Sequence, residues 1–104
     1  MVRAMQIRVA STNTPSDDKR AYAEYRFFTA LASYDTSIRS VNVALAEDPA
    51  VSGQCQCTVI VELLEAGEVK TQARAVHAIA AIDRAVERTA WLCRRRTRPD
   101  FSTF

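Results

Sequence analysis

The chain has 104 residues, 48% of them hydrophobic, which supplies one modest core and leaves no room for a second domain of ordinary size. Its formal net charge of +2 is too small to indicate nucleic-acid binding without local clustering. No run approaches the roughly 18–20 apolar residues of a membrane span, and the N-terminus lacks the apolar segment of a secretory signal. We therefore expect one cytoplasmic domain over residues 1–104, with an ordered core at about 5–96 and a short tail at 97–104.

The first two elements are predicted to be a strand and a helix. Apolar and polar residues alternate from Met5 to Val9, which is the period of a strand with one covered face. Pro15 to Asp18 is typical of a helix start, with Ser16 as N-cap and two carboxylates in the first turn. The helix is predicted to reach about Ser33. Its apolar stripe consists of Ala23, Phe27, Ala30, Leu31 and Tyr34.

A second apolar patch lies on the opposite side of this helix. Its residues are Tyr25, Phe28 and Ala32. Such a patch on a half-solvated helix is either ordinary edge packing or a contact surface, and the pattern leaves both open.

Three further strands are predicted at Ile38–Ala46, Cys55–Leu64 and Val69–Ala75. A polar connection with Pro49 and Gly53 separates the first two, and a hairpin turn over residues 65–68 joins the last two. The inward side chains are predicted to be Val41, Val43 and Leu45, then Cys55, Cys57, Val59, Val61 and Leu63, then Val69, Thr71, Ala73 and Ala75.

The last helix, predicted over His77–Arg96, has one apolar face and one basic face. The apolar stripe is Ile79, Ile82, Val86, Ala90 and Cys93, and the opposite side carries His77, Arg84, Arg88, Trp91 and Arg95. Five arginines and no acidic residue occupy Arg88–Arg98. The basic face is either a solvated surface or an anion-binding one, and Trp91 either stacks on bases or covers a core edge.

These elements predict a two-layer α+β sandwich with the order β-α-β-β-β-α. Both helices should cover one face of a four-stranded mixed sheet, and the first two strands should be parallel neighbours because a helix joins them.

The residues that an enzyme would need are scarce. His77 is the single histidine, there are only two glycines, and Cys55-Gln56-Cys57 lacks the CxxC spacing of a zinc knuckle. We expect no enzymatic activity, no metal and no cofactor. The three cysteines should be reduced core residues that react slowly with thiol reagents.

Three segments carry a recognisable sequence pattern: the opening Met5–Val9, the joint Tyr34–Val41, and Ala80-Ala81-Ile82-Asp83-Arg84-Ala85 followed by arginines. These segments resemble ribosome hibernation promoting factors, also called ribosome-associated inhibitors or sigma-54 modulation proteins. With the order of elements, the likeness spans Met5 to Arg96. Its most specific piece is the Ala-Ala-Ile-Asp sequence of the last helix.

The resemblance implies a cytoplasmic stress-response protein that binds the small (30S) ribosomal subunit and its rRNA near the decoding region and inhibits translation. It implies a short form of the family, without membrane contact or small-molecule substrate. The basic positions of the family's last helix correspond to Arg88, Arg94 and Arg95. Together with neighbouring residues, the RNA-binding set is Arg84, Arg88, Trp91, Arg94 and Arg95, extended by Lys19, Arg20 and Arg26. The alternative is a protein-interaction or homodimeric module of the same fold that uses the Tyr25/Phe28 patch.

Overall fold

The computed structural model of the chain describes residues 5–11, 17–47, 54–65 and 67–97. The elements in chain order are β1 (Gln6–Ser11), α1 (Asp17–Leu31), a 3-10 segment (Ala32–Ser37), β2 (Ile38–Glu47), β3 (Cys55–Leu63), β4 (Glu68–Ala75) and α2 (Ala78–Thr97). The predicted α+β order is therefore confirmed. The predictions made for Ser16, Pro49, Gly53 and the 97–104 tail beyond Thr97 lie outside the described residues.

The four strands form one sheet in the order β1-β2-β3-β4. β1 and β2 are parallel, as predicted, with Val9 opposite Val43, whereas β2–β3 and β3–β4 are antiparallel. Gly67, at the β3–β4 turn, has a backbone φ of 81°, which residues other than glycine rarely adopt. Its carbonyl accepts a 2.7 Å hydrogen bond from the Leu63 amide. β1 and β4 are the edges of the sheet.

The core lies between one sheet face and the two helices. α1 packs against β1, and α2 packs against β3, β4 and α1. The inward strand residues are buried as predicted, except that Cys55 and Ala75, near the ends of their strands, are only partly buried. On α1 the buried side chains are Ala23, Phe27 and Leu31. Ala30 and Tyr34 pack only partly, since the α-helix ends at Leu31 and Tyr34 belongs to the 3-10 segment.

The buried stripe of α2 differs from the predicted one. Ile82, Val86 and Cys93 are buried as predicted, but Ile79 is 39% exposed and Ala90 is only partly buried. The remaining buried positions of the helix are Ala81, Ala85 and Thr89. The buried face of α2 therefore points more toward β4 than the apolar pattern indicated, and the side chains on that flank are small.

A buried hydroxyl pair links α2 to β4. The Thr71 and Thr89 hydroxyls lie 2.7 Å apart, and Thr89 has no exposed surface. Each hydroxyl gives the other a partner, so neither polar group is buried unsatisfied. Because both residues sit in the middle of their elements, the pair fixes the position of the helix along the strand.

The cysteines do not form a disulfide, and all three lie within the described part of the chain. Burial raises the pKa of Cys57 to about 12 and that of Cys93 to about 11. Both thiols should therefore stay protonated near neutral pH, which makes them poor nucleophiles. Cys55, in contrast, is partly exposed at the start of β3.

Truncating Ile82 should destabilise the domain. Ile82→Ala leaves a cavity between α2 and the sheet and should lower the free energy of unfolding by about 2–5 kcal/mol, with Val86→Ala costing somewhat less. The matched control is Ile79→Ala, the same truncation one turn earlier at a 39% exposed site, which should cost less than half as much. Urea unfolding measures both, and equal losses would show that α2 is not docked by this stripe.

The thiols should fall into two reactivity classes. In native protein at mildly alkaline pH, an aromatic disulfide reagent should modify Cys55 readily and leave Cys57 and Cys93 unmodified until denaturant is added. Counting released chromophore before and after unfolding tests this. Rapid modification of all three thiols in the native state would contradict the described core.

Candidate nucleic-acid interface

Four side chains predicted from the sequence form a row along the outer face of α2, which we call the α2 stripe. Its members are Arg84, Arg88, Trp91 and Arg95, and all four are exposed. Their spacing of four, three and four residues places each on the turn after the last. The structure therefore brings these predicted residues together.

Two of these arginines are held against the edge of the sheet. Arg84 Nη1 donates to the Arg74 carbonyl at 2.9 Å, and Arg88 Nη1 donates to the Gln72 carbonyl at 2.7 Å. Both acceptors belong to β4, an edge strand whose outward carbonyls face no further strand among the described residues. The hydrogen bonds thus order the two guanidinium groups and cover part of an open strand edge.

The charge of these arginines is not compensated. A peptide carbonyl is neutral, so the hydrogen bond leaves a full positive charge on each guanidinium group. No carboxylate among the described residues lies within ion-pair distance of Arg84, Arg88 or Arg95. Ordered cations without a protein counter-ion are what phosphate binding requires.

Trp91 lies outside the core. Its side chain is 55% exposed, and the Arg95 guanidinium carbon lies 4.7 Å from the centroid of the indole ring. The distance is that of a cation–π contact, which orders both side chains at the surface. Trp91 is therefore not a buried core residue, and its indole presents an exposed aromatic surface.

Arg26 is in a different electrostatic position. Its Nε lies 3.1 Å from Asp83 Oδ1, and the Tyr22 hydroxyl donates to the same oxygen at 2.7 Å. These bonds tie α1 to α2. The hydrogen bond to Asp83, with a smaller contribution from burial, raises the pKa of the Tyr22 phenol, and the same carboxylate raises the pKa of Arg26. Asp83 therefore neutralises Arg26, whereas Arg84 and Arg88 keep an uncompensated charge.

Sequence patterns did not single out Asp83 as the link between the helices. It was visible only as part of the Ala-Ala-Ile-Asp segment that carries the family resemblance. Its partners lie 57 and 61 residues away in the chain, a separation that helical spacing alone cannot connect.

The remaining predicted residues lie away from the α2 stripe. α1 and α2 run in the same direction, since α1 joins two parallel strands and α2 folds back on β4, which is parallel to β2. Arg26 is level with Asp83, so Lys19 and Arg20 are separated from Arg95 by roughly 25 Å along the helix axes. Arg94 is exposed but three turns after Asp83, on the flank of α2 that faces α1.

A groove of about 630 Å³ runs between α2 and the edge of the sheet. It is lined by Lys70, Thr71, Gln72, Glu87, Arg88, Trp91 and Leu92. The groove adjoins the α2 stripe, since Arg88 and Trp91 belong to both. It therefore places the aromatic surface of Trp91 beside the basic Arg88 and the acidic Glu87.

A metal site and a membrane-spanning helix are both absent from the described residues. Within residues 5–11, 17–47, 54–65 and 67–97, no group of three or more His, Cys, Asp or Glu side chains is positioned to hold a metal ion. None of the helices in these ranges is both long and apolar enough to cross a membrane.

Comparison with known proteins identifies the fold. No family model matches the chain, and no curated protein matches it in sequence. Among solved structures, the Protein Y N-terminal domain of Thermus thermophilus superimposes with a TM-score of 0.73 at 24% identity, covering 88% of this chain and 98% of that domain. The chain has the Protein Y fold.

A ribosomal subunit interface protein from Coxiella burnetii shares the Protein Y fold. It superimposes with a TM-score of 0.78 at 11% identity, covering 91% of this chain and all of the other. The resemblance stated from the sequence is thus confirmed at the level of the fold, over nearly the full length of both neighbours. In this chain the Protein Y fold carries the α2 stripe on the helix that packs beside the β4 edge.

Removing the Asp83 carboxylate should release Tyr22 and Arg26. In Asp83→Asn the pKa of Tyr22 should fall toward its ordinary value of 10.0, because the carboxylate that disfavours the phenolate is gone. Spectrophotometric titration of the three tyrosines should show one of them ionising at lower pH than in the wild type. Glu24→Gln, an exposed carboxylate on α1, is the matched control and should leave the curve unchanged.

Proposed function

We propose that this protein associates with the ribosome and inhibits translation by binding RNA of the small subunit through the α2 stripe. It acts as a binder that excludes other ligands and not as an enzyme. The single observation that carries the proposal is the uncompensated pair Arg84 and Arg88, ordered by β4 carbonyls beside the exposed Trp91. The fold supports it, since one structural neighbour is a ribosomal subunit interface protein.

The chemistry of the stripe suits structured RNA better than a small anion. The charges are spread over Arg84 to Arg95, three turns of one helix, and this spacing suits a series of backbone phosphates. An exposed indole adds a stacking surface that bases can use and that a lone phosphate cannot. Lys19, Arg20, Arg26 and Arg94 would widen the contact beyond the stripe, with Arg26 the weakest contributor because Asp83 neutralises it.

The second candidate is a homodimeric or protein-binding module that uses the outer face of α1. The observation that favours it is the exposure of Tyr25 and Phe28, at 66% and 53%, which are neighbours on one turn of that helix. Tyr25→Ser/Phe28→Ser would abolish self-association if this candidate is right, and would leave ribosome binding intact if the first one is. Sedimentation equilibrium of the wild-type and variant proteins separates the cases.

Substituting Arg88 and Arg95 together by alanine should weaken binding to purified small subunits. Each phosphate contact that the substitutions remove should reduce the slope of log affinity against log salt by roughly 0.7–0.9, with little dependence on RNA sequence. The melting temperature should change little, because exposed charged groups contribute little to folding. Binding is measured by co-sedimentation over a series of salt concentrations.

The matched control is Arg8→Ala/Arg39→Ala, which removes the same charge from exposed positions on β1 and β2. It should keep most of the affinity and the salt slope. Equal losses in the two double variants would show that only net charge matters, and an unaltered affinity of the Arg88→Ala/Arg95→Ala protein would leave the α1 surface as the better candidate.

A further inference from the structure

The groove between β4 and α2 combines features that a general phosphate-binding surface does not need. Trp91 offers an aromatic face, Arg88 places a cation on the helix side, and Glu87 adds a carboxylate. We propose that this groove binds one unpaired guanine nucleotide of RNA, with the base stacked on Trp91 and its donor edge on Glu87. The proposal rests on the proposed function and adds which kind of nucleotide the site takes.

The helix places these groups around one point. Glu87 and Arg88 precede Trp91 by four and three residues, so all three project from adjacent turns on the same side of α2. Arg95 covers part of the indole from the following turn, and Trp91 is nevertheless 55% exposed. A base stacked on the free part of the ring would have its edge within reach of Glu87 and its phosphate near Arg88.

The carboxylate is the feature that selects a base. An acidic group repels phosphates, so it weakens general RNA binding unless it accepts hydrogen bonds from a base edge. Glu87 is exposed and has no ion-pair partner among the described residues, which leaves both oxygens available as acceptors. Guanine presents two adjacent N–H donors that match the two oxygens, whereas uracil presents one and adenine pairs less well.

A peptide added as a strand along β4 fits the groove less well. Strand addition needs free carbonyls along the edge, and those of Gln72 and Arg74 already accept hydrogen bonds from Arg88 and Arg84. The cationic Arg88 of the groove also favours a polyanion over a neutral chain. These contacts favour a nucleotide over an added peptide strand as the ligand of the groove.

The fluorescence of Trp91 gives a direct test, because it is the single tryptophan of the chain. Oligouridine heptamers with a central guanine, adenine or uridine are titrated into the full chain. We expect the guanine heptamer to quench Trp91 and to bind about tenfold more tightly than the all-uridine heptamer, the discrimination of one bidentate contact. Absence of quenching, or equal affinity for the three heptamers, would overturn the proposal.

Variants are compared by anisotropy of labelled heptamers. Glu87→Gln should raise affinity for the all-uridine heptamer, since a repulsive charge is removed, and should reduce the guanine preference to within about twofold. Glu62→Gln, at an exposed position of β3, removes the same charge away from the groove and should keep the preference. Trp91→Leu should weaken all heptamers, with Tyr25→Leu as its exposed aromatic control. A guanine preference that survives Glu87→Gln would contradict the assigned role.

The nucleotide assignment of the groove and the proposed function predict separate binding results, so the experiments distinguish an error in one from an error in the other. If the wild-type chain co-sediments with small subunits but no heptamer quenches Trp91, the groove assignment is wrong and the proposed function stands. If heptamers quench with guanine preference and small subunits are not bound, the groove is right and the ribosomal target is wrong.

Discussion

Helix α2 is held in one position by contacts on three sides, and the surface chemistry of the protein depends on that position. Ile82 and Val86 are buried against the sheet, and the Thr71–Thr89 hydroxyl pair fixes the helix along β4. Asp83 joins it to α1 through Arg26. A rotation of the helix by one residue would move its surface by about 100° and would separate the arginines from the strand edge.

The same docking explains why arginines near the two flanks of α2 differ electrostatically. On the flank toward α1, Arg26 meets a carboxylate and the pair is neutral. On the flank toward β4, Arg84 and Arg88 meet peptide carbonyls and remain charged. The carbonyls at the open edge of the sheet therefore order the two guanidinium groups. In turn, these groups cover a strand edge that would otherwise be available to pair with another strand.

Much of the fold followed from local pattern. Alternation in the strands identified their inward faces, and the helix between β1 and β2 implied that they are parallel. The prediction was less accurate where a choice depended on tertiary contact. Ile79 and Ala90 fit the apolar period of α2 but lie at its margins, while Thr89 is buried because Thr71 supplies a partner that no local pattern shows.

The candidate site was predicted in the same uneven way. Helical spacing was sufficient to align Arg84, Arg88, Trp91 and Arg95, since all four lie on one helix. It did not reveal that Asp83 pairs with Arg26, or that β4 carbonyls hold two of the arginines, because these contacts join elements distant in sequence. Grouping Lys19 and Arg20 with the stripe assumed that both helices present one surface, whereas the helices keep these residues roughly 25 Å from Arg95 along their axes.

Sedimentation of the wild-type chain with separated, purified ribosomal subunits tests whether the protein binds the small subunit. We predict co-migration with small subunits and little with large ones. A plot of log affinity against log salt concentration should be linear, with a slope that corresponds to several phosphate contacts. If the folded chain remains at the top of the gradient when small subunits are present at low salt, the proposed function is wrong.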